Sequence, residues 1–92
     1  MAANEPPPFT VAMFRALADL MQGPAYSQPS THYYGEQPGR IYIRRRTINA
    51  LYVRHLIDTR DLSPGRSAAE PNEIGRAFFH NHPLRRELKV TA

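Results

Sequence analysis

Arg45-Arg46-Thr47-Ile48-Asn49-Ala50-Leu51-Tyr52-Val53-Arg54-His55-Leu56-Ile57-Asp58 is the stretch on which the fold turns. Thr47 reads as a helix N-cap, because its hydroxyl can accept from a first-turn amide that has no partner within the helix. Behind it Ile48, Leu51, Tyr52, His55 and Leu56 recur at helical spacing, leaving Asn49, Val53 and Arg54 outward. Before it, Ile41-Tyr42-Ile43 is a short apolar strand, β-branched at both ends and bounded by Gly39. After it, residues 56–60 read as extended, and Ser63-Pro64-Gly65-Arg66-Ser67 has the composition of a turn.

Towards the N-terminus, Val11, Phe14, Leu17, Ala18 and Met21 follow Thr10 at helical spacing, with Met13 and Leu20 widening the stripe. Gln22-Gly23-Pro24 closes this helix. Residues 1–8 end in three prolines and read as a disordered tail, which leaves 9–92 as a single domain. Residues 24–39 carry Pro24, Pro29, Pro38, Gly35 and Gly39 and read as loop, with at most one helical turn. Tyr26, Tyr33 and Tyr34 lie inside it; they either fold back onto a small core or stack on a base or a partner.

Residues 66–75 read as a polar loop, and the C-terminal part allows two arrangements. Residues 73–79 form a helix capped by Asn72, or residues 76–79 form a strand that turns at Asn81-His82-Pro83 into 84–91. The alternation of Leu84, Leu88 and Val90 against Glu87, Lys89 and Thr91 favours the hairpin. Phe78 and Phe79 then point to opposite faces, so either a partner covers one ring or both are sandwiched.

Ninety-two residues permit one small domain and no large water-excluding cleft. The absence of cysteine excludes disulfides, thiolate zinc sites and cysteine nucleophiles, and so small a core leans on a partner or on homodimerisation. No apolar run reaches membrane-spanning length, and the N-terminal tail lacks the basic and apolar regions of a secretory signal, so the expected location is cytoplasmic. The formal charge of +4 is local: residues 40–60 hold six Arg against the single acid Asp58, giving +5, and the rest of the chain carries −1. Positive side chains clustered at a helix N-terminus add to the helix dipole, and both attract phosphate.

The stretch 45–58 resembles the recognition-helix region of winged helix-turn-helix proteins, the MarR-like regulators and small phage or mobile-element proteins among them. Their pattern is a Thr-capped helix with apolar residues one and four places after the cap, then an apolar-acidic step into a wing hairpin. Glu87-Leu88-Lys89-Val90-Thr91 is similar to the wing's returning strand. The resemblance implies a small α+β winged-helix-like domain: N-terminal helix, short strand, second helix, C-terminal β-hairpin. It implies that the helix preceding the recognition helix lies within 24–39. It places Arg46, Thr47, Asn49, Ala50, Val53 and Arg54 against the major groove or its phosphates, with Arg60 and Arg66 reaching the neighbouring minor groove or backbone from the wing; the adjoining Arg44 and Arg45 complete the expected nucleic-acid-binding set.

Two functional expectations follow. The first is a DNA-binding transcriptional regulator on double-stranded DNA, with Asn49 reading adenine and Arg54 guanine. The alternative is a phage or mobile-element protein that inhibits an acidic host protein or nucleoprotein complex through its Arg patch and through Tyr33, Tyr34, Phe78 and Phe79. No phosphate loop, nucleophile elbow or catalytic carboxylate pair is present, so no enzyme and no cofactor is expected. His80 and His82 read as turn histidines rather than metal ligands.

Overall fold

The computed structural model describes residues 9–27 and 32–87. Thr10 caps α1 (Val11–Leu20) as its position suggests: its Oγ1 accepts from the Met13 amide at 3.2 Å, and its own N–H points at the Met13 Sδ. The stripe of α1 buries Met13, Phe14, Leu17 and Leu20, each worth about 1.5–3 kcal/mol of transfer free energy when fully buried.

Residues 24–39, expected as loop, contain β1 (Ala25–Ser27) and β2 (His32–Tyr34). Aromatic side chains suit a pleated, half-buried surface, and Pro24 and Pro38 lie outside the three-residue strands, where no ladder N–H is required of them. No helix stands between α1 and α2 among the described residues. The expected strand at 41–43 is β3 (Tyr42–Arg44), and α2 (Arg45–Val53) follows it directly. A hairpin comes next, β4 (Ile57–Ser63) and β5 (Arg66–Pro71), joined by Pro64-Gly65 with Gly65 at φ +80°, the residue pattern of a type II turn. Residues 66–71, expected as polar loop, are therefore strand. Ser67, Ala68, Ala69 and Glu70 have poor strand propensity, but β5 is paired on both sides, by β1 and by β4.

The five strands form one antiparallel sheet in the order β3-β2-β1-β5-β4. With the helices the architecture is α+β. The core joins Tyr33, Ile43, Ala25, Ala69 and Ile57 from one sheet face to the buried sides of α1, α2 and α3. The molecule measures 36 × 35 × 21 Å. Its thin dimension fits one sheet and one helical layer.

The expected C-terminal hairpin is replaced by two helices, α3 (Glu73–Asn81) and α4 (Leu84–Glu87). Asn72 decides between the two sequence readings of 73–79, because its side-chain carbonyl accepts from the Gly75 amide at 2.8 Å and so caps a helix. The strand expected over 84–91 is helical through Glu87, and its remainder lies outside the described residues, as does the tail at 1–8. Helical geometry also places both phenylalanines: Phe79 stacks on Phe14 at 5.0 Å between centroids, and Phe78 meets Phe9 edge-on at 4.9 Å.

The turn from α2 into β4 has the bonding of a Schellman motif: the Leu56 amide donates to Leu51 O and the His55 amide to Tyr52 O, with Leu51 and Leu56 both buried. The left-handed residue is His55, at φ +60°, where glycine is the usual occupant. Asn72 ties this corner to α3: its amide donates to Leu56 O, and its Nδ2 donates to His55 O at 2.9 Å and to the Asp58 carboxylate. A Cβ on Gly75 would stand 1.9 Å from Leu56 O, so only glycine allows this approach. We expect Gly75→Ala to lower unfolding free energy by about 3 kcal/mol or more, because the clash is with backbone that cannot step aside. His55→Gly should raise it by about 1 kcal/mol by removing the left-handed strain from an exposed position. Urea denaturation of the two variants checks both signs.

Candidate functional site

The +5 segment is not one uniform surface. Arg40 is withdrawn from it, with a side chain only 1% exposed. Its Nε donates to Asp19 Oδ2 at 3.0 Å and its Nη2 to Gly23 O at 2.7 Å, while Nη1 bonds the Gln37 side chain. The other Asp19 oxygen accepts from the Ile41 amide. This buried ion pair fastens the end of α1 to the turn before β3. Gly35 makes room for it, since a Cβ there would fall 2.2 Å from the guanidinium carbon.

The remaining arginines divide between two faces. Arg44, Arg45, Arg46 and Asn49 come together with His32 around an open concavity of about 560 Å³ at the start of α2, and none of its lining residues is acidic. Arg45 also faces the hairpin, lining a second concavity with Ser27 and residues 61–67, and its guanidinium stands 5.8 Å from the centre of the Tyr33 ring. Val53 continues the exposed side of α2 one turn beyond Asn49. Thr47 is not the cap: the helix starts two residues earlier, Arg44 occupies the cap position, and no side chain caps it. Thr47 is thus the third helical residue and half-buried.

Three of the expected nucleic-acid contacts are directed elsewhere. The Arg54 Nη1 donates to Ala50 O at 3.0 Å, back along its own helix. Arg60 and Arg66 lie on the sheet face opposite the helices, and Arg66 is drawn over the Tyr26 ring at 4.8 Å with Glu36 beside it. Neither reaches out from the tip of the hairpin. Of the four aromatics expected at a partner surface, Tyr33 and Phe79 are core residues, Phe79 with no exposure at all. Tyr34 and Phe78 are half-buried. His32 was not expected beside the arginines, because its place opposite Arg44 is set by β2–β3 pairing, which no local pattern announces.

His82 packs among Phe9, Phe14 and Phe78 and accepts from the Leu84 amide through Nδ1, a structural role rather than that of an exposed turn residue. Among the described residues, no three His, Cys, Asp or Glu side chains come together in a way that could hold a metal ion, and no helix is long and apolar enough to cross a membrane. Comparison with protein families, curated proteins and solved structures returns no match.

The division of the arginines carries a test of its own. Removing one member of a buried ion pair strands the other, so Arg40→Ala should cost about 3–5 kcal/mol in chemical denaturation. Arg46→Ala, at an exposed position in the same charge run, should leave the unfolding free energy within about 0.5 kcal/mol.

Proposed function

We propose that this protein is a small double-stranded-DNA-binding regulator in which α2 is the recognition helix and the β4–β5 hairpin its wing, a reduced winged-helix-like domain. The observation that carries the reading is the acid-free concavity formed by Arg44, Arg45, Arg46, Asn49 and His32 at the exposed start of α2. The local energetics point the same way. A helix N-terminus favours acidic side chains and a capping oxygen, and α2 has neither; it opens with two arginines against the positive end of its own dipole. An arrangement that lowers helix stability is compensated when a phosphate neutralises the charge and accepts from the free amides.

The exposed side of α2 supplies the reading groups. Arg46, Asn49 and Val53 recur three and four residues apart and share one side, which a major groove about 12 Å wide can admit. Asn49 is suited to a bidentate bond with adenine and Val53 to contact with a thymine methyl, while Arg44 and Arg45 flank the helix towards the phosphates. An inhibitor of an acidic host protein would use the same arginines. The burial of Tyr33 and Phe79 removes half of the aromatic surface that reading relies on, so duplex DNA is favoured.

Binding of a labelled 20-base-pair duplex, followed by fluorescence anisotropy between 50 and 200 mM salt, tests the proposal. The logarithm of affinity should fall with the logarithm of salt by about 0.9 for each phosphate contacted. Replacing Arg44, Arg45 and Arg46 together by Ala should make that slope shallower by about 2–3; an unchanged slope and affinity would remove the basis of the reading. Arg46→Glu separates function from folding. It should abolish binding while raising unfolding free energy by about 0.3–1 kcal/mol at low salt, through the helix dipole.

A further inference from the structure

The sheet face turned away from the helices carries an ordered row of side chains that the duplex-binding reading does not use. Strand register places Tyr42 opposite Tyr34, Tyr34 opposite Tyr26, Tyr26 opposite Ala68 and Ala68 opposite Arg60, a single rung across all five strands. Tyr42 is 75% exposed, and its ring meets Tyr34 edge-on at 5.8 Å. Two residues along the strands towards the hairpin tip, Arg44 stands opposite His32, and Arg66 begins β5 with its guanidinium over the Tyr26 ring. The aromatic rung is therefore bordered by a cationic one. Asp58 and Glu70 lie opposite each other two residues beyond Arg60 and Ala68, on the side away from Arg44 and Arg66, and Glu36 stands 4.0 Å from the Arg66 guanidinium.

Among the described residues no helix belongs to this face: the sheet residues in the core cluster are those that alternate with the row, and the molecule is one sheet and one helical layer thick. Cross-strand aromatic pairs stabilise a sheet by themselves, by about 0.2–1 kcal/mol each, but Tyr42 at the edge is 75% exposed, so its ring is open to a ligand. Rings that meet edge to face on the outer sheet surface, beside Arg44 and Arg66, match the two halves of a nucleotide: a base with a π face and a phosphate with a negative charge. A duplex hides its base faces, so the chemistry selects unpaired nucleotides.

We infer that the outer sheet face, with Tyr42 and Tyr34 as stacking platform and Arg44, Arg66 and Arg60 as phosphate contacts, binds single-stranded DNA. The choice of DNA rests on the duplex-binding reading, because Arg44 belongs both to this face and to the concavity at the start of α2, so the two surfaces are continuous. An unpaired strand beside a duplex held on α2 would pass over Arg44 onto the tyrosines. The protein would thereby prefer junctions of double- and single-stranded DNA over uniform duplex.

Anisotropy titrations of the full chain with labelled dT15, rU15 and a 15-base-pair duplex test the inference. The variants are Tyr42→Ala, Tyr42→Phe and the pair Arg46→Ala with Asn49→Ala; circular dichroism checks that each folds. Tyr42→Ala should weaken dT15 binding about tenfold or more and leave duplex binding within about twofold, with Tyr42→Phe restoring it because the ring is kept. The Arg46/Asn49 pair should do the reverse. Loss of duplex binding by wild type with dT15 binding intact would remove the α2 reading and leave the stacking face standing. No measurable dT15 binding, or binding unaffected by Tyr42→Ala, would overturn the inference. So would rU15 binding tenfold tighter than dT15, which makes the ligand RNA, or a wild-type dimer that Tyr42→Ala converts to monomer without altering dT15 affinity, which makes the occupant a second copy.

Discussion

The fold depends on the corner at His55-Leu56. There α2 ends in a left-handed residue, the chain reverses into β4, and Asn72 closes the junction by bonding His55 O, Leu56 O and Asp58 with its backbone and side-chain nitrogens. The oxygen of the same side chain caps α3, and Gly75 lets that helix approach Leu56 O more closely than any side chain would allow. One residue thus sets the angle between α2 and the hairpin, the starting point of α3 and, through α3, the stacking of Phe79 on Phe14 of α1. A buried carbonyl without a partner is costly, so once the chain turns at this corner the segment carrying Asn72 has to return to it.

The two ends of α2 are satisfied unequally. Its carbonyls at Leu51 and Tyr52 accept from the reversing chain, Asn72 holds the two carbonyls just beyond its end, and its buried side is fixed by Ile48 and Leu51. The N-terminal amides have no side-chain cap and stand among arginines. Stability is concentrated at one end of a nine-residue helix and relinquished at the other. Arg40 shows the contrasting use of the same residue type. Sequestered with Asp19, it holds α1 against the turn before β3 and adds no charge to the surface, so the positive face is smaller and more sharply placed than the run of arginines suggests.

Where local pattern and tertiary demand agree, the sequence was legible. The capped stripe of α1, the strand at 42–44, the amphipathic α2 and the Pro64-Gly65 turn all follow from spacing and turn chemistry. The concentration of charge around α2 was legible too. Strand β5 was not, because Ser67-Ala68-Ala69-Glu70 becomes strand only through partners on both sides, and that pairing is non-local. The same limit hid the tyrosine row: Tyr26, Tyr34 and Tyr42 are separated in sequence and are aligned only by register. Thr47 misled because it is a good cap two residues inside a helix that starts without one. The choice between helix and strand at 73–79 rested on Asn72, and the alternation of 84–91 outweighed a cap whose partner at Leu56 no local window includes.

The central claim is that the uncapped, arginine-rich start of α2 is the surface on which nucleic acid is held. Amide chemical-shift mapping of the isotopically labelled protein during titration with a short DNA duplex addresses it most directly. The account predicts shifts concentrated at residues 44–49 and at the facing hairpin residues 61–67, with α3 and α4 unmoved. Shifts centred on Arg76, Arg85 and Arg86 instead, or spread without focus over every basic side of the molecule, would contradict it.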